Sequence, residues 1–336
     1  MIKEMSLWRS LQRDNNTKVL NTFITEGLSR YVIYLSEALQ EIEYLRKYYQ
    51  QKRDYFAEIE EIAAKNKVKL VLIAGPSSSG KTTSAKRLAI QLRLTGLNPV
   101  VISLDDYFVN RVDTPKDENG EYDFECLEAL DLPLLNSNLT DLFEGREIEM
   151  PRYDFIKGER VYAGDKFQMK EGDVLIMEGI HGLNPKLTQS IPDDLKHKLF
   201  VSVLTPISIS EEVTVEAADY RLLRRIVRDN RSRNSNAEST ILRWPSVRRG
   251  EEKHINPFRN LADDEINSAL MYELPLLKCY AEPVLQSVKK DSPAYSQAQR
   301  LIEILHEIVA LTPSDLRHIP PTSLIREFIG GGIYEY

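Results

Sequence analysis

Four short and nearly continuous apolar runs punctuate the chain: KVKLVLIA (67–74), NPVVISLDDYF (98–108), DVLIMEG (173–179) and KLFVSVL (198–204). Runs of this length without polar alternation are the pattern of strands buried on both faces of a parallel sheet. After the first run the period changes. Ala85, Leu88, Ala89 and Leu92 fall on one face of a helix. Strands alternating with helical stretches predict an α/β fold over residues 66–312. Between the second and third runs lies a polar stretch, residues 109–170, with Gly, Pro and Asp throughout. Within it, EIEMPRYDF and RVYAGDKFQM have the pattern of a β-hairpin. An insertion of that length between core strands is expected to carry substrate contacts. Residues 219–253 are strongly basic, 263–311 return to a helical pattern, and 313–336 form a tail.

Residues 1–65 read as a helical N-terminal segment. Leu28, Tyr31, Leu35, Ala38, Ile42, Leu45 and Tyr49 recur at spacings of three and four, an a/d stripe. Phe56, Ile59 and Ala63 continue it after a break at Lys52. No proline occurs in the first 75 residues, which is consistent with long uninterrupted helix. Such a stripe suits packing against its own domain, a dimerising arm or an arm that joins a further domain, and a homo-oligomer is expected.

Composition narrows the class. The chain has 336 residues, 44 basic and 51 acidic, for a net charge of −7, with 42% hydrophobic and 28% charged residues. This excludes disorder, collagen and a membrane protein, and the acidic balance argues against a nucleic-acid partner. Cys126 and Cys279 are too few for a disulfide scaffold or a cysteine-rich zinc module. The five histidines lack short metal-ligand spacing. No apolar run approaches the roughly 20 residues that span a bilayer. The charged start, MIKEMSLWRSLQRD, is unlike a signal peptide. A soluble cytoplasmic enzyme acting on a small molecule is expected, with no membrane partner.

The strongest chemical signal is Gly75-Pro76-Ser77-Ser78-Ser79-Gly80-Lys81-Thr82, a full match to G-x-x-x-x-G-K-[ST] between a buried strand and a helix. Its glycines let successive backbone N–H groups turn toward phosphate oxygens. Gly75, Ser77, Ser78, Ser79, Gly80, Lys81, Thr82 and the following Thr83 are therefore the expected cradle for a nucleotide's phosphates. Lys81 is expected to reach the β and γ phosphates, and the Thr82 hydroxyl to ligate Mg²⁺. Asp105 and Asp106 end the second strand and Glu178 the third, where an open α/β sheet places its ligand crevice. Acids there could orient an attacking hydroxyl and hold the metal, or could cap the next helix. Arg221, Arg224, Arg225 and Arg228 follow helical spacing, with Arg231 and Arg233 beyond. Their pattern suits a lid closing on a phosphoryl group, a solvated basic face, or a nucleic-acid patch. The absence of N-K-x-D weighs against a GTPase.

GPSSSGKTT, SLDDYF, PRYDF, IMEGIHG and DYRLLRRIVRD, in that order, resemble the uridine kinase and phosphoribulokinase family, the uridine kinase branch more closely. QLRLTGLNPVVISLDDYFVNRVDTP, IHGLNP, WPSVRRGEEK and REFIGGG are similar to a bacterial uridine kinase-like group. In that group the kinase often follows a region similar to part of threonyl-tRNA synthetase. The resemblance implies a P-loop NTPase-type three-layer sandwich with a mainly parallel sheet. It also implies ATP- and Mg²⁺-dependent phosphorylation of a nucleoside 5′-hydroxyl, uridine or cytidine first. Asp105 matches the general base, and Tyr107 beside it joins the expected substrate contacts. Glu178 matches the acid near Mg²⁺, Tyr153 a residue contacting the base, and Arg221 an arginine at the nucleoside. Arg224 matches a catalytic lid arginine, with Arg228 and Arg233 over the ATP phosphates. Asp123 and Glu125 are both candidates for gripping the ribose hydroxyls. One departure is plain: the histidine that follows YDF in uridine kinases is absent, and Gly158 stands in its place. Two alternatives therefore accompany this reading, a kinase for a phosphosugar or modified nucleoside and an ATP-sensing module without transfer.

Overall fold

The computed structural model describes residues 17–25, 27–30, 32–40, 68–94, 96–118, 120–204, 207–208 and 214–335. Its centre is a parallel five-stranded sheet of β1 (Leu70–Ala74), β2 (Asn98–Ser103), β5 (Asp173–Glu178), β6 (Lys196–Ser202) and β9 (Asp264–Asn267). The strand order is β2-β5-β1-β6-β9, and β7 (Ile207–Ser208) pairs with β8 (Thr214–Val215) in a separate two-stranded sheet. β1 is buried along its whole length, and its side chains alternate between two apolar layers. Val71 and Ile73 pack with Ala85, Ala89 and Leu92 of α3 (Lys81–Arg93). Leu70, Leu72 and Ala74 belong to the opposite layer, with Leu135, Leu139 and Leu142 of α4 (Leu132–Phe143). Two-residue alternation between two covering layers is why the run carries no polar positions. The result is a three-layer α/β sandwich around a parallel sheet.

The insertion contains the expected hairpin, β3 (Glu147–Asp154) antiparallel to β4 (Glu159–Gln168). Arg160 anchors its turn end, donating to Asp131 (2.9 Å) and to the carbonyls of Tyr107 (3.4 Å) and Phe108 (3.0 Å). The basic region forms α5 (Ala217–Ser232) and α6 (Ala237–His254), which pack with α7 (Glu273–Gln286) and α8 (Tyr295–His306) into a third apolar cluster. One expectation is corrected inside the helical stretch from 263. Residues 264–267 form the fifth strand, paired with β6 from Leu199↔Asp264 to Ser202↔Asn267. Only Ile266 of these four residues is apolar and buried, so this edge strand has no apolar run to announce it.

The N-terminal expectation is also corrected. α1 (Thr17–Thr25) and α2 (residues 32–40) are separated at Gly27, whose φ is +73°. The stripe residues Leu35 and Ala38 lie on the exposed side of α2. Val32, Ile33, Ser36, Glu37 and Gln40 are buried instead. Tyr31, Ile42, Leu45, Tyr49, Phe56, Ile59 and Ala63 lie outside the described residues. At the other end, the tail is part of the core. Leu324, Ile325 and Phe328 are fully buried, each contributing about 1.5–3 kcal/mol of apolar burial. Among the described residues no helix is long and apolar enough to cross a membrane.

Candidate active site

The phosphate loop leaves the carboxyl end of β1. At Gly75 a Cβ would lie 2.0 Å from the Val201 carbonyl oxygen of the neighbouring strand, so only glycine lets the chain pass. Gly80, at φ +90°, caps α3 without a side chain, and Ser78 also has positive φ, +59°. The hydroxyls of Ser78 and Ser79 are buried and have no hydrogen-bond partner among the described residues. Orphaned polar atoms in a glycine-lined concavity are what a bound phosphate chain would satisfy. The Lys81 ammonium arches back to the Pro76 carbonyl at 3.2 Å. The residues present thus fit a nucleotide's phosphates.

Thr82 and Glu178 meet beside the loop. The Thr82 hydroxyl donates to Glu178 Oε1 at 3.0 Å, and the Ser103 hydroxyl donates to the same oxygen at 3.1 Å. Burial pushes the Glu178 carboxyl up to about 7, against the pull of Lys81 and with Asp105 and Glu327 adding to the rise. Hydroxyl and carboxylate oxygens are the donors Mg²⁺ takes, so this cluster fits the ion.

Asp105 and Asp106 lie on one 3₁₀ turn (Leu104–Tyr107) and have separate fates. Asp106 Oδ1 accepts the Tyr153 backbone N–H at 3.1 Å, tying the hairpin to the turn. Burial raises the Asp106 carboxyl. The Asp105 carboxylate has no hydrogen-bond or ion-pair partner among the described residues, and its charge raises both Glu178 and Glu125. Tyr107 is a correction: it is buried, and its hydroxyl accepts from Asn138 Nδ2 at 3.2 Å, within the layer under α4. It faces the core.

Of the two acids in the 123–125 loop, Asp123 accepts the Glu125 N–H at 3.0 Å. Glu125 is half-buried against Gly250, where a Cβ would come within 2.4 Å of its own Cβ, and its buried Oε2 has no hydrogen-bond partner among the described residues. Burial raises Glu125 to about 6, with Arg225 and Lys81 opposing. Tyr153 stands edge-on to Phe108 (5.6 Å) and Phe155 (5.2 Å), an aromatic trio at the hairpin. Gly158, in the hairpin turn at φ +75°, has no room for a side chain. A Cβ there would meet Arg111 Nε at 2.8 Å. Arg111 instead grips the turn, donating to the Phe155 carbonyl at 2.7 Å.

The arginines divide, which corrects the expectation of one mobile lid. Arg224 is fully buried: it ion-pairs with Glu273 and donates to the Ser78 and Ser79 carbonyls (3.2 and 3.3 Å) and to Ser268. It braces the loop from beneath because every N–H direction is taken by protein. Arg221 is likewise buried, paired with Glu251 (2.7 Å) and donating to the Ser77 carbonyl (3.3 Å). Arg225, on the same helix, reaches the Ser77 hydroxyl at 2.7 Å. Arg228 pairs with Asp229 at 2.8 Å. Arg233, its side chain 44% exposed, lies over the Phe155 ring at 5.4 Å, bridging the arginine helix and the hairpin. Thr83 is a further correction. Its hydroxyl (2.7 Å) and amide (3.2 Å) both donate to Glu327 Oε2, so its donors are occupied by the protein.

Four participants stand within the quoted motifs without a site role assigned from the sequence. Ser103 and Arg225 follow from adjacency to Asp105 and Arg224. Glu327 comes from a tail 244 residues away, with no local signal. His181, three residues past Glu178, is buried edge-on to His254 at 6.3 Å. Burial lowers it to about 4, so its ring is neutral at neutral pH.

The model of the phosphoribulokinase / uridine kinase family matches residues 70–271. Uridine kinases of several Staphylococcus aureus strains are 32% identical over 195 residues, covering 58% of this chain and 84% of theirs. Among solved structures, a possible uridine kinase from Bacillus stearothermophilus is similar at 16% identity and TM-score 0.39, over 63% of this chain and 99% of that one. A D-glycerate 3-kinase from Cryptococcus neoformans is similar at 18% identity and TM-score 0.38, over 56% and 79%. The chain belongs to the phosphoribulokinase / uridine kinase family and is a kinase.

Proposed function

We propose that the chain phosphorylates the 5′-hydroxyl of a nucleoside, uridine or cytidine first, with ATP as donor and Mg²⁺ as cofactor. The observation that carries this reading is the unpartnered Asp105 carboxylate. Its charge acts on Glu178 on the phosphate-loop side and on Glu125 on the insertion side. Asp105 takes the proton from the acceptor hydroxyl as that oxygen attacks. Lys81, the loop amides and the Ser78 and Ser79 hydroxyls bind the phosphates, and Thr82 with Glu178 holds the ion. Bound Mg-ATP supplies the electrophilic phosphoryl group, its charge partly neutralised by the metal. Arg225 at the Ser77 hydroxyl, Arg233 over Phe155 and Arg228 close to both add positive charge. Glu125 and Asp123 accept from vicinal sugar hydroxyls, while Tyr153 and its two aromatic neighbours offer a π surface to the base. Asp105→Asn is expected to abolish turnover while Mg-ATP still binds; normal turnover would sink the assignment.

A second reading, a phosphosugar acceptor, draws on Arg111. At the hairpin turn stands a guanidinium, a donor without acceptor capacity, which suits an anionic group. A phosphosugar kinase would ignore free uridine, so an acceptor panel separates the two.

A further inference from the structure

The first turn of α3 carries two adjacent threonines pinned in opposite directions. Thr82 donates to Glu178 from β5, and Thr83 donates through both hydroxyl and amide to Glu327 from the tail helix (Arg326–Ile329). Gly80, the residue capping α3, has no side chain to serve these amides. A helix start normally recruits a local acceptor for its second or third N–H. Here the acceptor arrives from the far end of the chain.

That acceptor is itself held. Glu327 is 8% exposed, Phe328 and Leu324 are fully buried, and the Leu324 methyls fill the space beside Gly80, where a Cβ would meet them at 2.7 Å. Arg231 donates to the Phe328 carbonyl (2.9 Å) and the Glu327 carbonyl (3.2 Å). The Phe328 ring lies 5.1 Å from the guanidinium of Arg224, which braces the Ser78 and Ser79 carbonyls. Phosphate loop, arginine helix and tail are thus one connected unit.

We infer that Glu327 is a positioning residue of the nucleotide site: by holding Thr83 it fixes the rotation of the first turn of α3, which keeps the Thr82 hydroxyl toward Glu178 and the preceding loop amides toward the phosphates. This inference rests on the reading of the loop as an ATP site. Because Glu327 takes the third amide of the helix, the amides of Gly80, Lys81 and Thr82 are left to an anion. The buried tail contacts make its carboxylate a fixed strut.

The test is Mg-ATP binding by titration calorimetry, which needs no knowledge of the acceptor, on the full chain and on Glu327→Gln, Thr83→Val and the double variant. Thermal midpoints are measured alongside. Loss of the charge-assisted bond is expected to weaken Mg-ATP binding about tenfold in each single variant. The double variant should be no weaker than the singles, since both remove one interaction. Thr83→Val leaves the tail intact and serves if Glu327→Gln fails to fold. Unchanged affinity with only a lowered midpoint would overturn the inference, leaving Glu327 a purely structural contact. Tighter binding would also overturn it, making Glu327 a competitor of the phosphates. Wild-type protein that binds no Mg-ATP would remove the nucleotide reading and the inference with it. Wild-type protein that binds but transfers to no acceptor, with the variants weakened, would refute the transfer reading alone.

Discussion

Burial decides what each acid in the site can do, and the sequence shows only that the acids are present. Asp105 and Asp106 are neighbours of one type, yet Asp106 spends its carboxylate on the Tyr153 amide while Asp105 stays unpartnered. Glu125 illustrates the energetic side. Its folded value, about 6, is raised above the ordinary 4.5, chiefly by burial. The folded chain therefore binds the extra proton more tightly than the unfolded one. The stability this provides is fully present below about pH 4.5 and is lost as pH rises through about 6. The loss amounts to about 2 kcal/mol. Glu125→Gln should abolish it: relative to wild type, the variant gains about 2 kcal/mol between acid and mildly alkaline pH in urea unfolding. An identical pH dependence in both proteins would show that Glu125 is not held in this environment. The positions of the phosphate loop, Asp105 and Glu178 at strand ends were legible from local spacing. The fates of Tyr107 and Thr83 were not, since each is set by a partner distant in sequence, Asn138 and Glu327.

Among the elements, α5 departs furthest from its sequence pattern. Its arginines recur at helical spacing, which shows a basic helix but not which face is buried. The third apolar cluster buries one face together with Arg221 and Arg224, whose partners Glu251 and Glu273 lie 30 and 49 residues on. Arg224→Met should therefore act on the fold, leaving Glu273 buried without its counter-charge at a cost of about 3–5 kcal/mol. Arg233→Ala should change stability by less than about 0.5 kcal/mol, its side chain being part-exposed, and should raise the KM for ATP. Urea unfolding of both variants decides the matter, and a stable Arg224→Met protein with lowered turnover would restore Arg224 to the lid. The hairpin and four strands were visible as apolar or alternating runs. β9 was not, because an edge strand with one buried apolar residue carries no pattern.

At the scale of the whole molecule, both ends of the described chain converge on the phosphate-loop helix. Glu37 of α2 accepts from the Tyr272 hydroxyl (2.5 Å) and from the Ser323 hydroxyl in the tail (2.5 Å), and Gln40 accepts from Arg87 of α3 (2.7 Å). Glu37→Ala would leave two buried hydroxyls without their acceptor, a loss of about 2 kcal/mol. A lowered unfolding midpoint with the KM for ATP unchanged is expected; an unchanged midpoint would mean that α2 does not dock as described. The a/d stripe did not reveal this convergence, because α2 turns the polar Ser36, Glu37 and Gln40 inward with Val32 and Ile33. Polar inward positions break the apolar period while still specifying the contact. The proposed function is transfer of a phosphoryl group to a small hydroxyl activated by Asp105. The measurement that tests it most directly is ADP release from Mg-ATP across ribonucleosides, deoxyribonucleosides and phosphosugars, with Asp105→Asn alongside. Turnover on a pyrimidine nucleoside, lost in the variant, is the predicted result. Binding of Mg-ATP with no transfer to any acceptor, or equal turnover by the variant, would contradict it.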